Sequence, residues 1–472
     1  MWSNDPTQNL LIAQGQRDSL VGQKICPTAD GGFYISWLDE VRGYSLFLQR
    51  LDVDGNLLLP AGVPSTDGIL VYKRALTTGP RDYSLTVDTA GNAVLSIDAG
   101  LALEGSVDAG GAAVACKVSP DGELMFGAAG ITLSQKNELV QQVFCASTSD
   151  GGAVFGWSLA DCSAVHMVKL DAKGNALWGD GKLYLPPRPT VRLTDIQAAD
   201  AGSAIYSFAY NVPRLGNGAV STGFFTSKLN SEGLNTWIEA PYSLFLQESE
   251  SGIGGGDAPK FVSDGQGGAV YCYRGNGDPR VANPGQQVCF VQRVNAAGMP
   301  RYEGNGAIVS IETTNSDNPC FGFDPATDRI YVLWTSGDSS IRAQCIDLQG
   351  QRLWGDQGMA LVTTDPGTSP MPIAITPIGE TVMASWCLYQ TTAPDVSQPI
   401  RAALLDRSGN YVWPSQTVDV KTGTSTTTDD ASAVLGATGY EAFVWGDDVN
   451  RSVRAQNINQ DGSLGVAPSR AR

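Results

Sequence analysis

The chain repeats one short pattern eight times. A run of alternating apolar residues, usually opened by glycine, ends on a large apolar and mostly aromatic residue: GGFYISW (31–37), GNAVLSI (91–97), GGAVFGW (151–157), GSAIYSF (202–208), GGAVYCY (267–273), DRIYVLW (328–334), ETVMASW (380–386) and YEAFVW (440–445). The final residues, Trp37, Ile97, Trp157, Phe208, Tyr273, Trp334, Trp386 and Trp445, are spaced 51 to 65 residues apart. Each run is followed by a second one that enters a glycine turn, as in RLDVDGN (50–56), KLDAKGN (169–175), IDLQGQ (346–351) and LDRSGN (404–410). These turns fall near 55, 122, 174, 233, 298, 350, 409 and 462, one per copy and always in the same order. Self-similarity at a fixed period is the mark of a modular fold in which each copy buries its apolar face against the next.

Alternating apolar residues bounded by Gly, Asn and Asp read as strands, and the D-x-x-G turn reads as a hairpin whose glycine takes a positive φ. An extended run precedes the Gly-aromatic strand, for example VQQVFCAS (140–147). A short fourth run follows Trp178, Trp354 and Trp413. Four strands per repeat is one blade of a β-propeller. The sequence therefore predicts an all-β chain, a single propeller domain over 1–472 with eight four-stranded blades. Seven is the alternative count, if copy four, the most degenerate, is not a regular blade. The last copy stops after Gly462, whereas Trp2 aligns with Trp354, and Leu10, Leu11 and Ile12 align with Met359, Ala360 and Leu361. The N-terminal strand is thus expected to complete the last blade, closing a ring and covering an edge.

Composition narrows the alternatives. With 55 Gly and 25 Pro among 472 residues, a helical bundle or coiled coil is excluded, and no helical periodicity separates the strands to support a βαβ fold. The formal charge of −17 repels phosphate backbones, so nucleic acid is not an expected partner. No apolar run reaches the length that spans a bilayer, so membrane insertion is not expected either, nor does the start read as a signal peptide. Nine cysteines without a C-x-x-C pair read as buried thiols, with Cys272 and Cys289 within reach of each other across one hairpin.

The tandem pattern, carried by Trp37 with 48–56, Trp157 with 170–179 and Trp334 with 344–358, resembles bacterial exported β-propeller repeat proteins whose repeats read GGAxxxW…QRLDxxGNxLWGxxG. Members of that group are mostly of unassigned activity. The resemblance implies an address outside the cell or on its surface, and nothing about the reaction or ligand.

Binding residues are expected on the loops between strands 2 and 3, because loops on a rigid scaffold carry function. Three of these are long: 209–223, 274–287 and 387–399; an irregular stretch, 248–257, crosses between copies four and five. Tyr210, Asn211, Arg214, Asp278, Arg280 and Tyr389 provide aromatic platforms and planar donors suited to sugars or carboxylates. Asp39, Asp98, Asp338 and Asp447 recur just after strand 2 and form a candidate ring for a structural Ca2+, the alternative being turn capping or pairing with Arg42 and Arg451. No other cofactor is indicated. His166, the only histidine, occupies the position of Phe47 in copy one and is read as a packing residue, so no Ser-His-Asp triad is built on it. The resulting expectation is a monomeric, non-catalytic recognition module for a glycan or protein surface. The alternatives are a glycosidase or lyase using carboxylates or a Tyr/Arg pair on the same face, and a structural or assembly protein.

Overall fold

The computed structural model describes residues 1–15, 20–74, 82–99, 111–135, 138–184, 190–213, 220–237, 242–247, 258–275, 280–281, 286–337, 339–390, 398–423, 431–447 and 449–466. The fold is an all-β propeller of eight four-stranded blades, each an antiparallel sheet with its strands in chain order. Copy four is as regular as the others: Val191–Ala198, Ala204–Pro213, Val220–Leu229 and Tyr242–Gln247 form one sheet. Blade eight is Ser432–Leu435, Glu441–Asp447 and Ser452–Ile458, completed by Leu10–Gln14 from the N-terminus. Leu10 lies opposite Ala455, as Met359 lies opposite Ala343, which is the alignment the sequence implied.

The chain divides into two compact units of four blades. One comprises Met1–Lys73, Pro120–Glu123 and Thr314–Arg472, and holds blades six, seven, eight and one; the other comprises Arg74–Ser119 and Leu124–Thr313, and holds blades two to five.

Within both units the repeated residues turn out to be fasteners. The residue ending strand 2 stands opposite a partner on strand 3 in every blade: Trp37 with Phe47, Ile97 with Val114, Trp157 with His166, Phe208 with Phe225, Tyr273 with Phe290, and Trp334, Trp386 and Trp445 with Arg342, Arg401 and Arg454. Four of these partners, Phe47, His166, Phe225 and Phe290, are rings stacked on the residue opposite, as Phe47 is on Trp37 at 6.0 Å and 14°. The tryptophan after the hairpin turn belongs to the next blade as much as to its own. Trp2, Trp178, Trp237, Trp354 and Trp413 donate Nε1–H to the carbonyls of Val53, Ser231, Ala296, Arg407 and Gln460, at 2.8–3.2 Å. Each indole lies under the turn glycine of the blade it reaches, so a Cβ on Gly233 would come within 2.8 Å of Trp178.

The turn aspartates are consumed in the same way. Asp52 Oδ1 accepts the N–H groups of Asp54 (3.0 Å) and Asn56 (2.8 Å), an Asx turn with no EF-hand character. A basic residue two positions before the turn reaches back to the strand 1–2 turn of its own blade and on to the next blade. Lys169, fully buried, donates to Asp150 Oδ2 at 2.5 Å and to the Gly202 carbonyl at 2.6 Å. Lys117 and Lys228 repeat this with Asp88 and Ala172, and with Asp200 and Gly267. Thus the repeat motif is spent on architecture, and a ligand site must be sought among residues that break it.

Candidate functional site at the strand 2–3 ends of blades two to four

Among the described residues, seven blades continue the strand 2–3 ladder for one or two pairs beyond the residue that ends strand 2. Blade four continues for five, from Ala209 opposite Phe224 to Pro213 opposite Val220. At about 3.3 Å per residue the hairpin projects roughly 17 Å past Phe208. Part of what the sequence suggested to be a loop is therefore a stiff β-arm. Tyr210 and Asn211 lie on it, opposite Gly223 and Thr222, and Tyr210 also pairs with Val191 on strand 1.

A polar cluster sits at the foot of this arm. Strand 1 of blade three (Val140–Ser147) is bulged between Gln141 and Val143, and strand 1 of blade four between Leu193 and Asp195. The first bulge holds Gln142 at φ 53°, a left-handed conformation that a non-glycine residue adopts at some strain. Its N–H donates to Asp82 Oδ2 of blade two at 3.2 Å, and Ser158 Oγ approaches its Oε1 at 3.5 Å. The second bulge frees the Leu193 N–H from its own ladder, and Ser158 Oγ accepts it at 2.8 Å. Cys162, at φ 59° in the strand 2–3 turn of blade three, accepts at its sulfur from Gln141 Nε2 and Arg192 Nε, both at 3.4 Å. Its carbonyl accepts the Val191 N–H at 2.7 Å, which ties the turn to the strand beside Tyr210.

The cluster is open to solvent: Asp82 is exposed, and Gln141, Gln142, Cys162 and Arg192 are half-buried. Asp161 borders it, held below the usual carboxylate range by the Ser163 hydroxyl and N–H. His166 lies on the other flank of the turn, stacked on Trp157 at 5.4 Å and 6° with Nε2 3.6 Å from Glu138 Oε1. Desolvation lowers its pKa, and Glu138 opposes that shift. It stands where Phe47 stands in blade one, as expected, although half-buried rather than in the core. Amides, one guanidinium and one carboxylate in such a cluster can donate to and accept from several hydroxyls at once.

The other sequence candidates are dispersed. Arg280 is exposed, and its Nη2 donates to the Gly306 carbonyl at 3.0 Å, just before the outer strand of blade five (Ala307–Ile308). Tyr389 lies on the long second strand of blade seven (Thr381–Gln390), opposite Ser369. Arg214, Asp278 and Asp338 lie outside the described residues. Asp39 caps Arg42 N–H and faces its guanidinium at 3.4 Å, and Asp447 binds Asn450 and Arg454. Asp98 is buried at the end of strand 2 in blade two. Among the described residues no three His, Cys, Asp or Glu side chains are grouped so as to hold a metal ion. Cys272 and Cys289 are not joined in a disulfide, because the register sets Cys289 opposite Arg274 and Cys272 opposite Val291. Among the described residues no helix is long and apolar enough to cross a membrane.

Asp82, Gln141, Gln142, Ser158, Cys162 and Arg192 were not foreseen from sequence. Their one visible trace is the Gln141-Gln142 pair inside an otherwise apolar strand.

No family model matches the chain, and no curated protein does. Among solved structures it is similar to an ulvan lyase of a new polysaccharide lyase family, at 13% identity over 90% of this chain and 96% of that one, with a TM-score of 0.46. A puromycin hydrolase matches at 10% identity over 93% of this chain and 61% of its own, with a TM-score of 0.41. Dipeptidyl peptidase 4 of Porphyromonas gingivalis matches at 10% over 95% and 60%, with a TM-score of 0.48. At these values the likenesses bear on neither activity nor ligand.

Proposed function

We propose that the protein is a monomeric, non-catalytic recognition module that works outside the cell and takes a glycan at the strand 2–3 ends of blades two to four. The observation that carries this reading is the blade-four arm, five ladder pairs long where the other blades have one or two among the described residues, beside a solvent-open cluster of amide, guanidinium and carboxylate groups. Backbone pairing along the arm fixes the positions of Tyr210 and Asn211 in the chain path, which reduces what a ligand must order there. Planar polar groups suit the hydroxyl pairs of a sugar. The chain's charge of −17 disfavours nucleic acid as an alternative occupant.

The test is binding of the labelled protein to a broad glycan array, with calcium and again after chelation, repeated for Arg192→Ala, Tyr210→Ala and Arg280→Ala. Loss of a hit on the first two replacements but not the third supports the site. A hit that survives all three places the ligand elsewhere, and calcium dependence would point to Asp39, Asp98, Asp338 and Asp447. A blank array under both conditions refutes glycan recognition and directs the search to a protein partner.

A further inference from the structure

Glu441 breaks the repeat where no other copy does. Four residues before the end of strand 2, the other seven blades carry Phe33, Ala93, Ala153, Ala204, Ala269, Ile330 and Val382. All eight positions pair across the ladder with an apolar residue of strand 3, Ile458 in the case of Glu441. Glu441 is fully buried on the side of blade eight that faces blade seven, in line with Phe443 and Trp445, where Ile378, Met383, Leu404 and Ile458 form the apolar cluster. Its Oε1 accepts from Thr376 Oγ1 at 2.9 Å, and Ser385 is its second hydroxyl neighbour. Oε2 has no hydrogen-bond partner among the described residues.

Among the described residues no ion pair involves Glu441. The charged groups of strands 3 and 4 of blade seven are engaged elsewhere: Arg401 pairs with Asp419 at 2.8 Å, Asp406 holds Asn410 in its turn, and the buried Lys421 donates to the Gln398 carbonyl at 2.8 Å and lies over the ring of Trp445 at 5.9 Å, four residues along the strand from Glu441. Strand 1 of blade seven (Thr368–Ile378) and strand 1 of blade eight contain no ionisable side chain, and strand 2 of blade seven offers only Cys387 and Tyr389, toward its far end. On blade eight itself Asp447 lies six residues along the strand, and Arg454, opposite Trp445, is about 13 Å away by strand rise. Those two are paired with each other. Glu380 is paired with Arg407 at 2.7 Å. A carboxylate at this position would be a buried charge with two hydroxyls as its only relief.

We propose that Glu441 is held as an uncharged acid in the seam between blades seven and eight, and that its ionisation in alkaline solution loosens blade eight, so that this seam responds to pH. Burial raises its pKa to about 8, from an ordinary value near 4.5. A raised acid pKa means that the folded state binds more protons than the unfolded one across that window, so stability falls as pH climbs through it and levels off above about 8. Blade eight is the sheet whose outer strand comes from the other end of the chain, so loosening it acts where no covalent turn joins the strands. Alanine or valine, used in the equivalent positions, would give a seam without this response.

The experiment is urea unfolding of the full chain from pH 5 to pH 9, wild type against Glu441→Gln, which keeps the shape and an acceptor for Thr376. The expected ratio of wild-type to variant unfolding constants rises by up to about tenfold per pH unit between pH 5 and 8. A ratio that stays constant over this range overturns the proposal. If the variant does not fold, infrared spectra of wild type labelled with 13C-glutamate decide the matter. A protonated carboxyl band present at pH 7 and gone by pH 9.5 supports the assignment, and its absence at pH 7 refutes it.

Discussion

Replacing Lys169 by methionine separates a buried fastener from an ornamental one. Its ammonium is fully buried and satisfies two groups, Asp150 and the carbonyl of Gly202 in the next blade. Methionine fills the same volume, so no cavity term arises and only the polar contacts change. The Gly202 carbonyl loses the Lys169 donor, which costs about 1–3 kcal/mol. Asp150 keeps 40% exposure and two other donors, Thr148 and the Gly152 N–H, so its loss of a partner adds little. The expected destabilisation is therefore about 1–3 kcal/mol, most of it from the Gly202 carbonyl, against less than about 1 kcal/mol for Arg352→Ala, whose partner Asp356 is 71% exposed. Urea unfolding followed by tryptophan fluorescence at constant m reads both. Desolvation raises the Asp150 pKa, but Lys169, Thr148 and the Gly152 N–H outweigh it and leave it lowered. Its pairing thus stabilises the fold above the unfolded carboxylate pKa, near 4, and that contribution vanishes as pH falls through the folded value. The gap between wild type and Lys169→Met should narrow in acid. Equal losses for the two variants at neutral pH, or a gap that does not narrow, would refute the fastener argument.

Gly233→Ala and Gly179→Ala both place a side chain at positive φ, 75° and 62°, but only the first also meets Trp178 at 2.8 Å. The first should lower the unfolding midpoint by clearly more than the ~1 kcal/mol of backbone strain expected of the second. His166→Phe should fold with undiminished stability at pH 8, because Phe47, Phe225 and Phe290 occupy that stacking position elsewhere. Since burial lowers the His166 pKa, wild type alone should lose stability as pH drops below about 6.5, which a pH series of midpoints would detect. Alkylation at pH 8 should label Cys26 and Cys162, which are half-buried, and spare Cys116 and Cys345, whose thiols burial pushes up to about 12. Mass mapping checks this, and a bound ligand should shield Cys162 but not Cys26.

What was legible in the sequence is what repeats. The Gly-aromatic strand, the Asx turn and the tryptophan after it recur because each blade must solve the same packing problem against the next, and one solution written eight times is readable without coordinates. Even the displaced strand 10–14 could be placed, since Trp2 precedes it as Trp354 precedes Met359–Thr363, and both indoles reach the turn of the next blade. The candidate site is legible only in part: its strand 1 bulge recurs in blades one, six and seven, but the polar side chains around it do not follow a repeated pattern. A bulge at Gln142 needs no special residue type, and nothing in VQQVFCAS says which glutamine is bulged. The arm of blade four was visible as a long insertion, but alternation continued on both sides of it only weakly, so strand pairing from Ala209 to Pro213 read as loop. Glu441 was in plain view inside YEAFVW, and was passed over because a single charged residue does not disturb an alternating pattern. Aligning the eight copies column by column, rather than reading along the chain, isolates it at once. In a repeat protein each copy is a control for the others, so a residue that fits its own strand but not its column is where architecture stops explaining the sequence.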